Sequence, residues 1–585
     1  MSCHSKIGTR TASVEKDTWL FAFDSSDSGN DQRWYSDSCD RTRWILTKSG
    51  FWSDENGIDY DGVGWYASTF EIVDPSQYYT IFFGRVDDDV DVWVNGTAVG
   101  SHTGPDEDFF LALRQLRRGL NTVVLRVTVH GGQGGLFKPV QIIRSSEVTR
   151  LLKSGFGGMN ARPSPDWVRN AVIYEVYLRS FSKEGTFKGL EQKLPELKAL
   201  GVTVVWLMPI HPIGELGRKG ELGSPYSVQD YYAVNPAYGT LDDFKSLVSS
   251  VHRLGLKIII DLVANHTSWD SKLLFEHPEW FKKNNKGAIV SPNADWTDVA
   301  QLDYRQHELR KYMINVMTYW VRDAGIDGFR CDVADFVPLD FWETARAELD
   351  RIKPVVMIAE GKDPDDHLKA FDLTYSWNLY EAMDDVVRRK RSVEVFDELL
   401  SREKLKYPKN ALRMRFISNH DKNVQDEPAV QQYTLAGARA TAVLAFTYPG
   451  VPLIYNGEEA GNIRKLSLVK KVTIDWSNGK DYRNLYSKLA QLRDEHPALR
   501  QGDYRKIWCS DSTRVYAFER STGDDVVDVV INFSKARRIV TIESTNELFD
   551  IFKNKTLSSE NKNVTLDLPS YGYSILTPTG NEERQ

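Results

Sequence analysis

Eight strand-length apolar runs, separated by segments of helical character, restrict residues 172–455 to very few architectures. The runs span 172–177, 202–208, 257–262, 326–332, 355–360, 371–375, 413–418 and 452–455. They are rich in β-branched and aromatic residues and too short to be helices. Between them lie helix-like stretches such as 190–200, 242–254, 308–324 and 433–446. Such alternation predicts an α/β fold with a parallel sheet, and eight units predict closure into a (β/α)8 barrel. The longest insertion after a strand, residues 267–303, is expected beside the mouth of that barrel.

A chain of 585 residues exceeds what one core holds, about 250–300 residues, so further domains are expected. Residues 16–150 read as an N-terminal β-sandwich: alternating runs at 79–83, 90–94 and 121–129 are broken by turn signals such as Asn95-Gly96 and the loop at 131–135. Val92-Trp-Val-Asn-Gly96, followed by Arg118-Gly-Leu-Asn121, resembles the galactose-binding-like jelly roll that precedes the catalytic domain of some β-glycosidases. The acidic run Asp87-Asp-Asp89 reads as a solvated strand end, with a calcium site as the alternative. Residues 154–166, rich in Gly, Ser and Pro, read as a linker to a catalytic domain at 167–500. From 501 to 580 short strands return at 515–520, 526–532, 538–542 and 571–576, predicting a C-terminal β-sandwich with a frayed tail.

Composition excludes several classes. A net charge of −7 and a pI near 6.0 argue against a nucleic-acid binder, which carries a basic stripe. Cys3, Cys39, Cys331 and Cys509 lack zinc-like spacing or a disulfide framework, and Cys331 reads as a small buried hydrophobe. No apolar run reaches the ~18 residues of a membrane span. The N-terminus lacks the apolar stretch of a signal peptide, so either the protein is cytoplasmic or an original leader has been removed, and the sequence does not decide which.

The strand ends carry the chemistry. Asp327-Gly-Phe-Arg-Cys-Asp332 puts a carboxylate at the end of the fourth run, Glu360 closes the fifth, and Asp421 is expected to close Phe416-Ile-Ser-Asn-His-Asp421. Barrel strand ends converge on one site. Three carboxylates there, with Arg330, His266 and His420, suit a glycosidase centre. Arg330 lies two residues before Asp332, so on a strand both project to the same face.

These motifs are similar to those of the α-amylase family of retaining α-glucan hydrolases and transglycosylases. Asp261-Leu-Val-Ala-Asn-His266 matches the third-strand motif, Gly328-Phe-Arg-Cys-Asp332 the nucleophile motif, Ala359-Glu360-Gly the acid motif and Ser418-Asn-His-Asp421 the seventh-strand motif. Ser224-Pro-Tyr226 with Asp230-Tyr-Tyr232, Gln301-Leu-Asp303 and Pro449-Gly-Val-Pro-Leu-Ile-Tyr-Asn-Gly-Glu-Glu459 add support, and the resemblance covers about 170–500. It implies Asp332 as nucleophile, Glu360 as acid–base, Asp421 as the carboxylate that grips the distorting sugar, and Arg330 as the cation that orients Asp332. It further implies that His266 and His420 bond sugar hydroxyls and that Tyr226 stacks on the sugar, while Asp230 and Asp261 orient neighbours.

Two departures stand out. Many α-amylases follow the nucleophile with a Lys-His pair that reaches a downstream glucose and a calcium ion; here those places hold Asp335 and Phe336. Asn265 matches a position that binds calcium in many members, so calcium is carried as an optional metal and no other cofactor is required. Val333 and the pair Phe341-Trp342 look more like neopullulanase and cyclomaltodextrin-hydrolysing relatives, and a valine beside the nucleophile also resembles α-1,6-cleaving members. The expected substrate is therefore an α-1,4-linked malto-oligosaccharide or starch-type α-glucan, with minor α-1,6 cleavage. The alternatives are a transglycosylase, in which a sugar resolves the intermediate, and a catalytically inactive carbohydrate-binding barrel. Oligomeric state is left open.

Overall fold

The computed structural model describes residues 14–51, 62–84, 86, 89–102, 109–129, 135–136, 139–145, 156–477 and 479–579. They fall into two compact units, one of Met1–Gly155 with Lys283–Thr297 and one of Phe156–Lys282 with Asp298–Gln585.

In the first unit, a six-stranded antiparallel sheet and a four-stranded one enclose an apolar core. The long strands Gly62–Ile72 and Gly119–Val129 pair along their whole length, and alternation sends Tyr66, Phe70, Val123, Leu125 and Val127 into that core. Asp89–Val94 and Thr97–His102 form a hairpin whose two turn residues, Asn95 and Gly96, both adopt positive φ, as a type I′ turn demands. Cys3, Asp87, Asp88, the loop at 131–134, the linker's first residues at 154–155 and the tail at 580–585 lie outside the described residues.

The second unit is built on a closed parallel barrel. Its strands are β1 (Ile173–Val176), β2 (Val204–Leu207), β3 (Lys257–Leu262), β4 (Gly328–Cys331), β5 (Val356–Ala359), β6 (Leu373–Tyr375), β7 (Leu412–Arg415) and β8 (Val451–Tyr455). Helices lie between the strands, among them Leu241–Arg253, His307–Arg322 and Ala429–Thr447. Leu241–Arg253 starts on a capping box in which Thr240 and Asp243 satisfy each other's backbone N–H groups. The helix expected at 190–200 is two short ones, Phe187–Glu191 and Leu194–Leu200, with Pro195 in the first turn of the second. Ala429–Thr447 is broken at Thr434, whose φ of 68° is not helical.

Alternation within the strands divides the barrel interior into layers. Ile173, Val204, Ile259, Val356, Leu373, Leu412 and Val451 belong to one apolar core cluster. Two residues further along, the same parity delivers Glu175, Trp206, Asp261, Ile358 and Tyr375 to the C-terminal end, and Arg330, two past Gly328, joins them. The barrel is therefore apolar at its base and charged at its mouth.

At the C-terminal end of the chain, a six-stranded and a two-stranded antiparallel sheet enclose their own core, with Val515, Val530, Ile542, Leu566 and Leu576 among its residues. Two short strands there, Leu548–Asp550 and Lys555–Leu557, were not expected from the sequence. Cys39, Cys331 and Cys509 are free thiols. Among the described residues no helix is long and apolar enough to cross a membrane.

Candidate active site

The site begins with the close approach of β4 and β5. Gly328 has φ 147°, and a Cβ there would lie 1.9 Å from the Val356 carbonyl oxygen, so only glycine permits this pairing. The ladder then aligns Cys331 with Ala359, and the next residue of each strand is a carboxylate: Asp332 and Glu360. The Glu360 N–H donates to the Cys331 carbonyl at 3.0 Å and fixes the two strand ends to each other.

Arg330, wholly buried on β4, gathers the acidic groups of the site around itself. Its Nη1 donates to Asp261 at 2.8 Å and to Asp332 at 2.9 Å, and its Nη2 pairs with Glu360 at 2.8 Å. Its Nε donates to the Tyr375 hydroxyl at 3.1 Å, and the rings of Trp206, Tyr226 and Tyr375 lie around the guanidinium. Three carboxylates thus surround one guanidinium. Burial pushes Asp261, Asp332 and Glu360 up, and repulsion adds to this, from Glu360 and Asp261 at Asp332 and from Asp421 at Glu360; Arg330 opposes it at all three. One guanidinium faces three buried carboxyls, so the three titrate as a coupled group.

Side-chain exposure separates the groups that open to solvent from those behind them. Asp261 and Arg330 are at 0 %, Asp332 at 8 %, Glu360 at 15 % and Asp421 at 25 %. Asp261 therefore acts through Arg330 and Tyr226, whose hydroxyl donates to it at 3.1 Å. Asp230 sits apart, accepting from its own loop at Tyr232 N, with Lys272 3.7 Å away.

One placement differs from the sequence reading. Asp421 does not close a strand: β7 stops at Arg415, and Asp421 lies in the first turn of the helix His420–Gln425. Asn419 caps that helix by accepting from the Lys422 N–H at 2.8 Å, so the chain turns before the carboxylate is reached. His420 precedes it, with Nε2 3.4 Å from Asp421 and 2.6 Å from the Tyr226 hydroxyl, and its ring stacks on Tyr226 at 5.4 Å. His266 starts a two-stranded ribbon with Val299–Gln301 and shares hydrogen bonds with Asn265 and the Tyr226 backbone. Burial pushes its imidazole down to about 3, so it stays neutral.

Two site features escaped the sequence reading. Glu175 on β1 is fully buried, and its carboxylate lies 2.5 Å from His420 Nδ1. The signal was present as a lone acid in the run Val172-Ile-Tyr-Glu-Val-Tyr177, because a charge inside a barrel strand needs a partner. Val333, directly after Asp332, has φ 36° and ψ 51°, a left-handed conformation that is costly for a β-branched residue. The strained backbone aims the Val333 N–H at Glu360 Oε2, 2.7 Å away.

The positions that depart from the Lys-His pattern are structural here. Asp335 accepts from the Lys362 N–H at 3.2 Å and packs on Gly361, where a Cβ would meet its carboxylate at 2.2 Å. Phe336 ends the short turn Ala334–Phe336. Around Asn265 the donors do not suit calcium: its amide nitrogen faces His266, and Asp303 is engaged by Arg305 through both oxygens. Among the described residues no group of three or more His, Cys, Asp or Glu side chains could hold a metal ion.

With this geometry in view, the comparisons with known proteins are decisive. The α-amylase catalytic-domain family pattern matches residues 154–298 and 293–555. The chain belongs to the α-amylase family. It is a glycoside hydrolase with a (β/α)8 barrel, and relatives of several kinds match it. A noncanonic maltogenic α-amylase of Thermotoga neapolitana is 33% identical with a TM-score of 0.66, over 70% of this chain and 99% of that one. Alpha-amylase 2 of Dictyoglomus thermophilum is 25% identical over 65% of this chain and 72% of its own length. A cyclomaltodextrinase of Thermoanaerobacter pseudethanolicus is 24% identical over 67% and 75% respectively.

Proposed function

We propose that this α-amylase family enzyme cleaves α-1,4-glucosidic bonds of malto-oligosaccharides by double displacement with net retention. One observation carries the reading: a single guanidinium bridges Asp332 and Glu360, which stand at the ends of neighbouring strands. An ionised nucleophile beside a protonated acid is what a retaining pair requires. Sharing one guanidinium also favours the carboxyl separation of about 5–5.5 Å found in retaining enzymes over the wider inverting one.

In the first step the Asp332 carboxylate attacks the anomeric carbon, the glycosidic C–O bond breaks, and Glu360 gives its proton to the leaving oxygen. In the second, Glu360, now a carboxylate, takes a proton from water. The water oxygen then bonds the anomeric carbon and releases Asp332. Asp421 and His420 hold hydroxyls of the sugar as its ring flattens, His266 bonds it from the third-strand side, and the Tyr226 face opposite His420 packs on it. Every proton in these steps is carried by a side chain or water. Proton NMR of fresh hydrolysate should show the α anomer before mutarotation; initial β product would overturn the assignment.

Substrate size and linkage are set by the residues after the nucleophile. Val333 narrows the passage of the leaving sugar, and a methyl-scale change in a pocket is worth about 1–3 kcal/mol, enough to bias linkage but not to dictate it. Asp335 is turned onto the Gly361–Lys362 backbone and offers no cationic grip on a downstream glucose. The names of two relatives, maltogenic amylase and cyclomaltodextrinase, support short substrates. Initial rates should fall from maltoheptaose and maltotriose to granular starch, with slow but measurable cleavage of pullulan or isomaltotriose. A strict requirement for long starch chains would defeat this reading.

A further inference from the structure

We infer that Glu175 is a positioning residue of the reaction: its carboxylate holds His420 as an imidazolium that faces the sugar and braces Asp421. The inference rests on the proposed placing of His420 and Asp421 at the sugar. Its physical basis is a hydrogen-bond count that needs no assumption about substrate.

Each nitrogen of the His420 ring meets an acceptor. Nδ1 is 2.5 Å from Glu175 Oε1. Nε2 is 2.6 Å from the Tyr226 oxygen, whose own proton is given to Asp261 at 3.1 Å, and 3.4 Å from Asp421 Oδ2. With the tyrosine proton on Asp261 and Glu175 ionised, a neutral imidazole, which has one N–H, could serve only one side, and the cation serves both. The ring is 1 % exposed, so water cannot substitute for either partner.

The charges around the ring are Glu175 from β1, Asp261 from β3, Arg330 from β4, Glu360 after β5 and Asp421 from its own helix. Tyr226 from the loop after β2 supplies a neutral hydroxyl, and Trp206 on β2 packs edge-on. Burial alone would push His420 down and Arg330 adds to this, yet Asp421 and Glu175 carry it up to about 9. Without Glu175 the ring would keep only the more exposed Asp421 as a close anion. His420 would then lose its proton within the working pH range, and with it one of the two donors. The chain Glu175–His420–Asp421 thus fixes a donor and an acceptor on the same side of the sugar.

Two measurements test this. Imidazole NMR of the full chain, with the His420 signal assigned through His420→Asn, reads the protonation state directly. His420 should remain charged through neutral pH in the wild type, and Glu175→Gln, which keeps the shape and an acceptor oxygen, should lower its midpoint by at least about two pH units. In parallel, the ratio of kcat/KM of Glu175→Gln to wild type on maltoheptaose should fall by about tenfold between about pH 5 and pH 8, because the variant's histidine deprotonates across that window. A packing role would instead lower the ratio equally at every pH. A wild-type His420 midpoint near the ordinary value of about 6.5, or a midpoint unmoved by Glu175→Gln, would overturn the inference. If the variant does not fold, the wild-type titration alone decides. Failure of the wild type to cleave maltoheptaose, with the titration as expected, would sink the substrate reading and leave the pairing of Glu175 and His420 standing.

Discussion

Asp332→Asn and Glu360→Gln should each lower turnover on malto-oligosaccharides by about 10³-fold or more, because nucleophilic and acid–base roles are not shared. The two losses should differ in kind. Glu360→Gln removes the proton for the leaving oxygen, so an aryl α-maltoside with an acidic phenol should recover its first step and then stall for want of a base. Asp332→Asn removes the attacking oxygen, and no leaving group compensates for that. Stability should move the other way at Asp332. Its folded carboxyl is pushed up by burial and by Glu360 and Asp261, so its ionised form costs stability once the pH passes its unfolded value of about 3.9. Asp332→Asn should therefore be at least as stable as wild type near pH 7, and its advantage should vanish near pH 4. Near-normal turnover in either variant, with wild-type contamination excluded, would remove that residue from its role.

The barrel was legible because eight runs of strand length alternate with helical stretches, a pattern few other architectures produce. The ends were less legible. The runs at 326–332 and 355–360 continue past the last ladder pair at Cys331 and Ala359. The residues just past that pair, Asp332 and Glu360, lie where the backbone has already left the sheet, and they carry the site. Asp421 shows the opposite error: Ser418-Asn419 is an N-cap signal, but it comes so soon after Phe416-Ile417 that strand and cap merge into one run. Arg330 and Asp332 could be placed on one face from a period of two. No period reveals that Arg330 also bridges Asp261 and Glu360, which arrive from neighbouring strands. Glu175 was lost for the same reason, since its partner is 245 residues away. The two short strands at 548–550 and 555–557 are only three residues each and show no alternation to detect.

Replacing Arg330 should be the most damaging single change to the fold of this site. Among the described residues its guanidinium is the one cation in direct contact with Asp261, Asp332 and Glu360 together, and it is wholly buried. Removing one partner of a buried ion pair costs about 3–5 kcal/mol, because the remaining charge is left uncompensated. Here three carboxylates would be left, against a total stability of about 5–15 kcal/mol for a typical domain. Arg330→Met keeps much of the side-chain volume, so packing loss should be minor and the penalty chiefly electrostatic. Without the cation each carboxyl is raised further above its unfolded value. The penalty should then grow as pH rises from about 4 to 8 and shrink on the acid side, where the carboxyls become protonated in both folded and unfolded chains. Arg330→Lys separates charge from geometry. A lysine restores one positive charge but lacks the planar fork that reaches Asp332 through Nη1, Glu360 through Nη2 and Tyr375 through Nε together. It should recover part of the stability while turnover stays at least about 10²-fold down, since nucleophile and acid are no longer held on one rigid plane. Urea unfolding at several pH values, with kcat and KM for both variants, reads each effect. A penalty in Arg330→Met that does not change with pH would mean that packing, not charge, holds the site together.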